Sequence, residues 1–302
     1  MSEFGAHPEA RPGAGRRVLV TGAAGRIGRA ACPGLAARGW RVRGLDRAPL
    51  DGVHGLADPP VRADVRDASA LDRAVSGVDA VVHLAGISGE APFADILAAN
   101  IDGTYQVFDA ARRAGVRRLV FASSNHAVGF TPRTRLATVD LPPRPDTYYG
   151  VSKVFGEALG RLYADRYGMQ VVCLRIGSWT ERPVTPRHLS TWLSPSDGIR
   201  LLHAALTAPD VDFAVVYGIS ANTRGWWDLA PARALGYRPV DDAEDYAAEV
   251  LAEHGEPDPA AVEHALLGGE LAGPEYDAPD APDAPDAPAR PDGPDGPARP
   301  VP

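Results

Sequence analysis

Tyr149 and Lys153 stand four positions apart in the run Tyr149-Gly-Val-Ser-Lys153. On a helix that spacing puts a phenol and an ammonium on one face. A free phenol, with a pKa near about 10, is a poor base at neutral pH. A neighbouring cation favours the phenolate. The pair is therefore a candidate proton-transfer device, with Tyr149 as base and Lys153 lowering its pKa. Spacing alone also fits an ordinary surface pair, so the weight comes from what accompanies it. Ser124 ends an apolar run upstream and offers a hydroxyl that can hold a reacting oxygen in place.

A second constellation points to a dinucleotide. Thr21-Gly-Ala-Ala-Gly-Arg-Ile-Gly28 follows an apolar run and opens a helical pattern. Gly22, Gly25 and Gly28 permit a tight turn, close approach to a pyrophosphate and close helix–strand packing. Arg26 and Ile27 begin the helix, whose free N–H groups and dipole favour an anion. Asp46 ends the next strand, where a carboxylate can bond both ribose hydroxyls and repel a 2′-phosphate. That favours NAD over NADP, with Arg26 and Arg47 as the opposing cations. Asp64 and Val65 follow a short third strand and can meet the adenine, or simply form a strand-end turn. Leu84, Ala85 and Gly86 follow the fourth strand, near the expected nicotinamide ribose, which Lys153 can also hold. His83 reads as a satisfied core histidine.

These residues need a scaffold that brings them to one edge. Arg17–Thr21, Arg41–Asp46, Val78–His83, Arg118–Ser123, Gln170–Arg175 and Asp212–Tyr217 read as strands. Helical patterns separate them, notably Phe93–Ala114 and Tyr149–Tyr167. The alternation implies an α/β fold, a Rossmann-like doubly wound parallel sheet. Ligands then bind outside the carboxyl ends of the strands. Residues 16–273 read as one Rossmann-type domain with a small C-terminal substrate-binding region, mainly 177–270. Pro33, in Cys32-Pro33-Gly34, is expected to kink or end the first helix early.

Both ends read as disordered. Residues 1–15 are rich in Pro, Gly and Ala. Residues 274–302 repeat Asp-Ala-Pro and hold ten of the 29 prolines, with almost nothing apolar to bury. Seven acidic residues and two arginines there carry most of the formal charge of −8, which argues against general nucleic-acid binding. Cys32 and Cys173 lie in apolar settings, as two buried thiols would, and no metal spacing is present. The absence of a signal-like or membrane-length apolar run makes a soluble cytoplasmic protein the expectation.

The glycine spacing, Asp64-Val65 and Tyr149-x-x-x-Lys153 together resemble the extended short-chain dehydrogenase/reductase superfamily, the NAD-dependent epimerase/dehydratase-like group. Val82-His-Leu-Ala-Gly-Ile-Ser88, Phe121-Ala-Ser-Ser-Asn-His126, Arg175-Ile-Gly-Ser178, Arg187-His-Leu-Ser-Thr-Trp192 and Gly225-Trp-Trp-Asp228 are similar to the uronate dehydrogenase family. The likeness runs from about Arg17 to Gly269. Arg26 stands where it implies a neutral polar residue. The resemblance implies NAD-dependent oxidation of D-galacturonate or D-glucuronate at the C1 hydroxyl, giving an aldarolactone, and it suggests a homo-oligomer. It assigns Ile176 to the cofactor. It also assigns Arg187 and Ser178 to the substrate carboxylate, and Ser88, Ser124, Asn125 and His126 to the sugar. Trp179, Trp192, Trp226 and Trp227 can stack on a sugar ring, but read first as packing or interface residues. Two alternatives stay open: a nucleotide-sugar epimerase or dehydratase of the same fold, for which the C-terminal region is small, and an NAD-sensing regulator, which has no need of a base.

Overall fold

The computed structural model describes residues 15–134 and 136–276. Seven parallel strands form the central sheet in the order β3-β2-β1-β4-β5-β6-β9. They are β1 (Arg17–Thr21), β2 (Arg41–Asp46), β3 (Val61–Arg62), β4 (Ala80–His83), β5 (Arg118–Ser124), β6 (Gln170–Ile176) and β9 (Phe213–Gly218). Two short strands, β7 (Ser178–Trp179) and β8 (Trp192–Leu193), pair separately and in parallel. The helices are α1 (Arg26–Ala36), α2 (Ala68–Val75), α3 (Phe93–Ile96), α4 (Gly103–Arg113), α5 (Tyr148–Tyr167), α6 (His188–Thr191), α7 (Pro195–Thr207), α8 (Ala230–Ala234), α9 (Ala247–His254) and α10 (Val262–Ala265).

Both faces of the sheet are covered, so its strands are apolar at successive positions rather than alternating. Val18, Val20, Val82, Val120, Val172 and Leu174 face one core, with Ala31, Leu35, Leu201 and Leu202 of α1 and α7. Leu19, Val81, Leu119, Phe121 and Cys173 face the other, with Leu71, Val107, Phe108 and Leu159 of α2, α4 and α5. The chain order reverses across β1 and β4, so the loops after those two strands diverge and open a crevice at their carboxyl ends. Cys32 and Cys173 are buried free thiols.

Three expectations change. First, α1 is not ended by Pro33 but continues to Ala36. Proline removes only its own donor, and the Pro33 carbonyl still accepts from Ala37 N. Gly34 packs directly against Ile199 of α7, and this tertiary contact holds the turn that propensity alone would end. Second, the Phe93–Ala114 helix contains a π-helical turn over Leu97–Asp102. Such turns insert an extra residue and re-aim side chains, often at functional sites. Third, both ends assigned to disorder reach too far into the chain. Gly15 N donates to Gly39 O, and Pro274–Tyr276 forms a 3₁₀ turn closed by Tyr276 N on Gly273 O. The remainder of those ends, 1–14 and 277–302, lies outside the described residues.

Candidate active site

Helix α5, which bears Tyr149 and Lys153, begins with a side-chain cap: the Thr147 hydroxyl accepts from Gly150 N at 2.9 Å. A second cap comes from far away in sequence. The Glu90 carboxylate accepts from Tyr148 N at 3.3 Å and Tyr149 N at 3.0 Å. Further along α5, Gly156 lies against the Phe121 ring and Gly160 against Val171, where a Cβ would not fit. The helix therefore sits close to β5 and β6, and Tyr149 and Lys153 are both buried at the carboxyl edge of the sheet.

The Ser124 hydroxyl, at the end of β5, stands by the Tyr149 phenol and accepts from His126 N at 3.3 Å. Lys153 Nζ donates to Ala122 O at 2.8 Å and lies 5.3 Å from the Tyr149 ring centre. Burial lowers its pKa to about 8, so it stays largely cationic at neutral pH. The phenol behaves otherwise than expected. Burial pushes Tyr149 up to about 12, the Ser124 hydroxyl pulling down and Asp146 pushing further up. In the free protein desolvation outweighs the nearby ammonium, and Tyr149 is protonated.

The glycine turn is shaped for close backbone approach. Gly22 has φ of 71°, which favours glycine, and a Cβ there would lie 2.7 Å from Ala85 N. A Cβ on Gly28 would overlap Gly22 O and Ala23. Gly25 is the N-cap of α1 and carries no side-chain cap, which leaves the first-turn donors of Arg26 and Ile27 for an anion. Asp46 braces this turn, accepting from Ala24 N and Ala48 N at 2.9 Å each. Leu84, Ala85 and Gly86 lie across the crevice, Ala85 N donating to Thr21 Oγ1 at 3.3 Å. Ile176 ends β6 opposite Ser124. This cradle fits the pyrophosphate and ribose of NAD. Asp64 is paired with Arg66, which donates through its backbone N, Nε and Nη2 and holds the carboxyl below the usual range. Val65 beside it is buried against Gly103. His83 is a satisfied core histidine, its nitrogens 2.8 Å from Thr21 Oγ1 and 3.1 Å from Thr104 Oγ1, with burial lowering its pKa to about 3.

The sugar-side residues cluster where the C-terminal segment crosses the end of β5. Asn125 Nδ2 donates to Leu267 O at 3.0 Å, and Arg187 Nη2 donates to the same carbonyl. Arg187 Nη1 donates to Glu263 O and Leu266 O. Of the five guanidinium N–H groups, these bonds leave Nε–H and one Nη2–H uncommitted. Gly269, at φ 69°, lies against Arg187 in a space that a Cβ would fill. Burial lowers Arg187 to about 10, opposed by Asp146 and Glu270, so it remains a cation. Ser178 Oγ is paired with Thr191 Oγ1 at 2.8 Å, and Thr191 Oγ1 reaches Arg187 O at 3.2 Å. His126 Nδ1 lies 2.8 Å from Asp146 Oδ2, its ring edge-to-face with Tyr149. Ser88 is exposed on the loop after β4, which Asn100 of the π turn grips at Ile87 N and Ile87 O.

The cofactor cradle, the Ser124–Tyr149–Lys153 set and the Arg187 cluster thus share one edge of the sheet. The NAD dependent epimerase/dehydratase family model matches residues 18–188. A uronate dehydrogenase of Agrobacterium fabrum is 45% identical over 244 residues, covering 81% of this chain and 92% of its own. The chain belongs to the uronate dehydrogenase family. A solved uronate dehydrogenase from Agrobacterium tumefaciens, a tyrosine-to-alanine mutant complexed with NAD, superposes with a TM-score of 0.80 at 43% identity, covering 85% of this chain and 97% of that one. An NAD-dependent glucose-6-phosphate dehydrogenase of Haloferax volcanii is 43% identical over 255 residues, covering 77% of this chain and 96% of its own.

Four site features escape sequence reasoning. Glu90, Asn100, Asp146 and the 263–269 segment act through contacts 13 to 142 positions away in the chain. Only Asn100 had a local signal, as an asparagine inside an apolar helix where its propensity is poor. Trp179, Trp192 and Trp227 are buried packing residues, while Trp226 is half-buried under Arg133.

Proposed function

We propose that this protein oxidises a hexuronic acid, D-galacturonate or D-glucuronate, at the C1 hydroxyl with NAD as acceptor. The observation that carries the substrate class is the Leu267 carbonyl, which receives both Asn125 and Arg187. It ties the cationic fork to the residue after Ser124, which supports an anion anchor set near the proton-transfer residues. A uronate carries its carboxylate at C6, away from C1, and needs both. The uncommitted Nε–H and Nη2–H of Arg187 can take that carboxylate, with Ser178 beside it.

Bound NAD supplies the hydride acceptor for the C1 hydrogen. Tyr149 takes the proton of the C1 hydroxyl as that hydrogen leaves. Ser124 holds the reacting oxygen, and Lys153 keeps positive charge near the phenol and the nicotinamide ribose. C1 of a cyclic uronate is a hemiacetal carbon, so removing one hydrogen from carbon and one from oxygen leaves a ring ester, an aldarolactone. Asn125, His126 and Ser88 offer donors and acceptors for the remaining hydroxyls.

The test is NAD reduction by purified protein with uronates, the neutral parent aldoses and glucose 6-phosphate. Uronates should be turned over best. In Arg187→Lys, KM for uronates should rise on the order of tenfold, because one ammonium cannot replace both the three carbonyl bonds and the fork. Equal turnover of neutral sugars, or an unchanged KM in that variant, would overturn the reading.

We propose a cytoplasmic location, as suits NAD-dependent oxidation of a small sugar acid; no helix among the described residues is long and apolar enough to cross a membrane. We also propose a homo-oligomer, formed through exposed apolar residues on α3–α4 and α5.

A further inference from the structure

We propose that Asp146 is a positioning residue that fixes His126 in one tautomer, leaving Nε2 as a hydrogen-bond acceptor for a sugar hydroxyl. The Asp146 side chain is fully buried. Its Oδ1 accepts from Thr147 Oγ1 at 3.0 Å, and its Oδ2 faces His126 Nδ1 at 2.8 Å. Two glycines close around that oxygen: a Cβ on either Gly129 or Gly268 would overlap Asp146 Oδ2. The box is built from three parts of the chain. Gly129 follows the β5 turn, Asp146 precedes α5, and Gly268 lies on the C-terminal segment, whose N–H donates to Gly129 O at 2.8 Å.

A carboxylate only accepts hydrogen bonds, so a proton must sit on His126 Nδ1. In the neutral ring Nε2 then carries a lone pair. The ring is partly exposed, with its side chain 15% accessible, and stands edge-to-face with Tyr149 at 5.8 Å between centroids. His126 is thereby an acceptor beside the general base, matched to an alcohol that donates. The sugar-binding half of this inference rests on the uronate reading; the tautomer half does not.

Two measurements separate them. Histidine ¹⁵N–¹H correlation spectra of the parent protein should show His126 protonated at Nδ1 and bare at Nε2. A bare Nδ1 overturns the proposal whatever the enzyme turns over. Kinetics then test the consequence. Asp146→Ala frees the ring and should raise the uronate KM on the order of tenfold, with NAD affinity unchanged. Asp146→Asn keeps an acceptor for Nδ1–H and should recover KM to within about threefold of the parent. If Asn is as impaired as Ala, the carboxylate charge and not ring orientation is what matters, and the proposal fails. Should Asp146→Ala not fold, the spectra and the Asn variant still decide. Inactivity of the parent on every uronate would instead remove the substrate reading and leave the tautomer standing.

Discussion

Tyr149 shows how little a residue's type says about its acidity. The same burial that isolates the reaction from water pushes the phenol up to about 12, and Ser124 is the protein group that pulls it down. With Tyr149 as the proposed base the active form is the phenolate, so activity should rise with pH until Tyr149 is deprotonated. Removing the lowering influence moves that limb further up. In Ser124→Ala the acid limb of kcat/KM should therefore shift to higher pH, with roughly tenfold lost at neutral pH for each unit of displacement. A pH–rate profile settles it: a lower kcat with an unmoved limb would make Ser124 a positioning group without influence on the base. Residue positions were legible where a motif brings its own local geometry, as with Gly22-x-x-Gly25-x-x-Gly28 and Tyr149-x-x-x-Lys153. The actual balance of charge and burial around Tyr149 was not, because it depends on packing from all sides.

Helix α5 carries the proposed base, and its placement is over-determined by neighbours. Thr147 and Glu90 cap its start, Ser152 Oγ accepts from Asn100 Nδ2 at 3.0 Å, and Gly156 and Gly160 let it lie on the sheet. Glu157, one turn beyond Lys153, forms a buried bidentate pair with Arg175 of β6, both bonds 2.9 Å. It also accepts from Ser123 of β5 at 2.6 Å. One carboxylate thus joins the helix of Tyr149 to the strands ending in Ser124 and Ile176. Replacing Glu157 by Ala strands a buried guanidinium, at a cost of about 3–5 kcal/mol. For a domain of this size that corresponds to a fall in Tm of roughly 6–20 °C, with a smaller fall in Glu157→Gln. A melting curve for Glu157→Ala that overlays the parent's would dismiss the pair as a structural tie. The extent of α5 and its Thr147 cap are readable in sequence, since both are local. The Glu157–Arg175 pair and the Glu90 cap join residues 18 and 59 positions apart, and no periodicity reports them. Pro33 misled for the complementary reason: its local penalty was real, and the α7 packing outweighed it.

At the scale of the molecule, a parallel sheet covered on both faces was implicit in the alternation of apolar runs and helices, because parallel strands need crossovers and crossovers cover both faces. What that alternation does not predict is which outer surface is left bare. Phe93, Leu97, Tyr105, Tyr148, Val151 and Leu162 are all more than a third exposed. They belong to α3–α4 and α5, which pack on one another, with the Phe93 and Tyr148 rings 5.2 Å apart. Isolated exposed apolar residues are ordinary, but a set on two adjoining helices reads as an interface. Because α5 also bears Tyr149 and Lys153 on its inner side, covering its outer side would hold the catalytic residues still. The expected outcome is a homo-oligomer by light scattering, with a Tm that rises with protein concentration. The double substitution Leu97→Glu, Val151→Glu places charge in that face and should shift the mass toward the monomer. A parent that is monomeric at all accessible concentrations would show that this face is bare in solution and that α5 is held by the contacts within one chain alone.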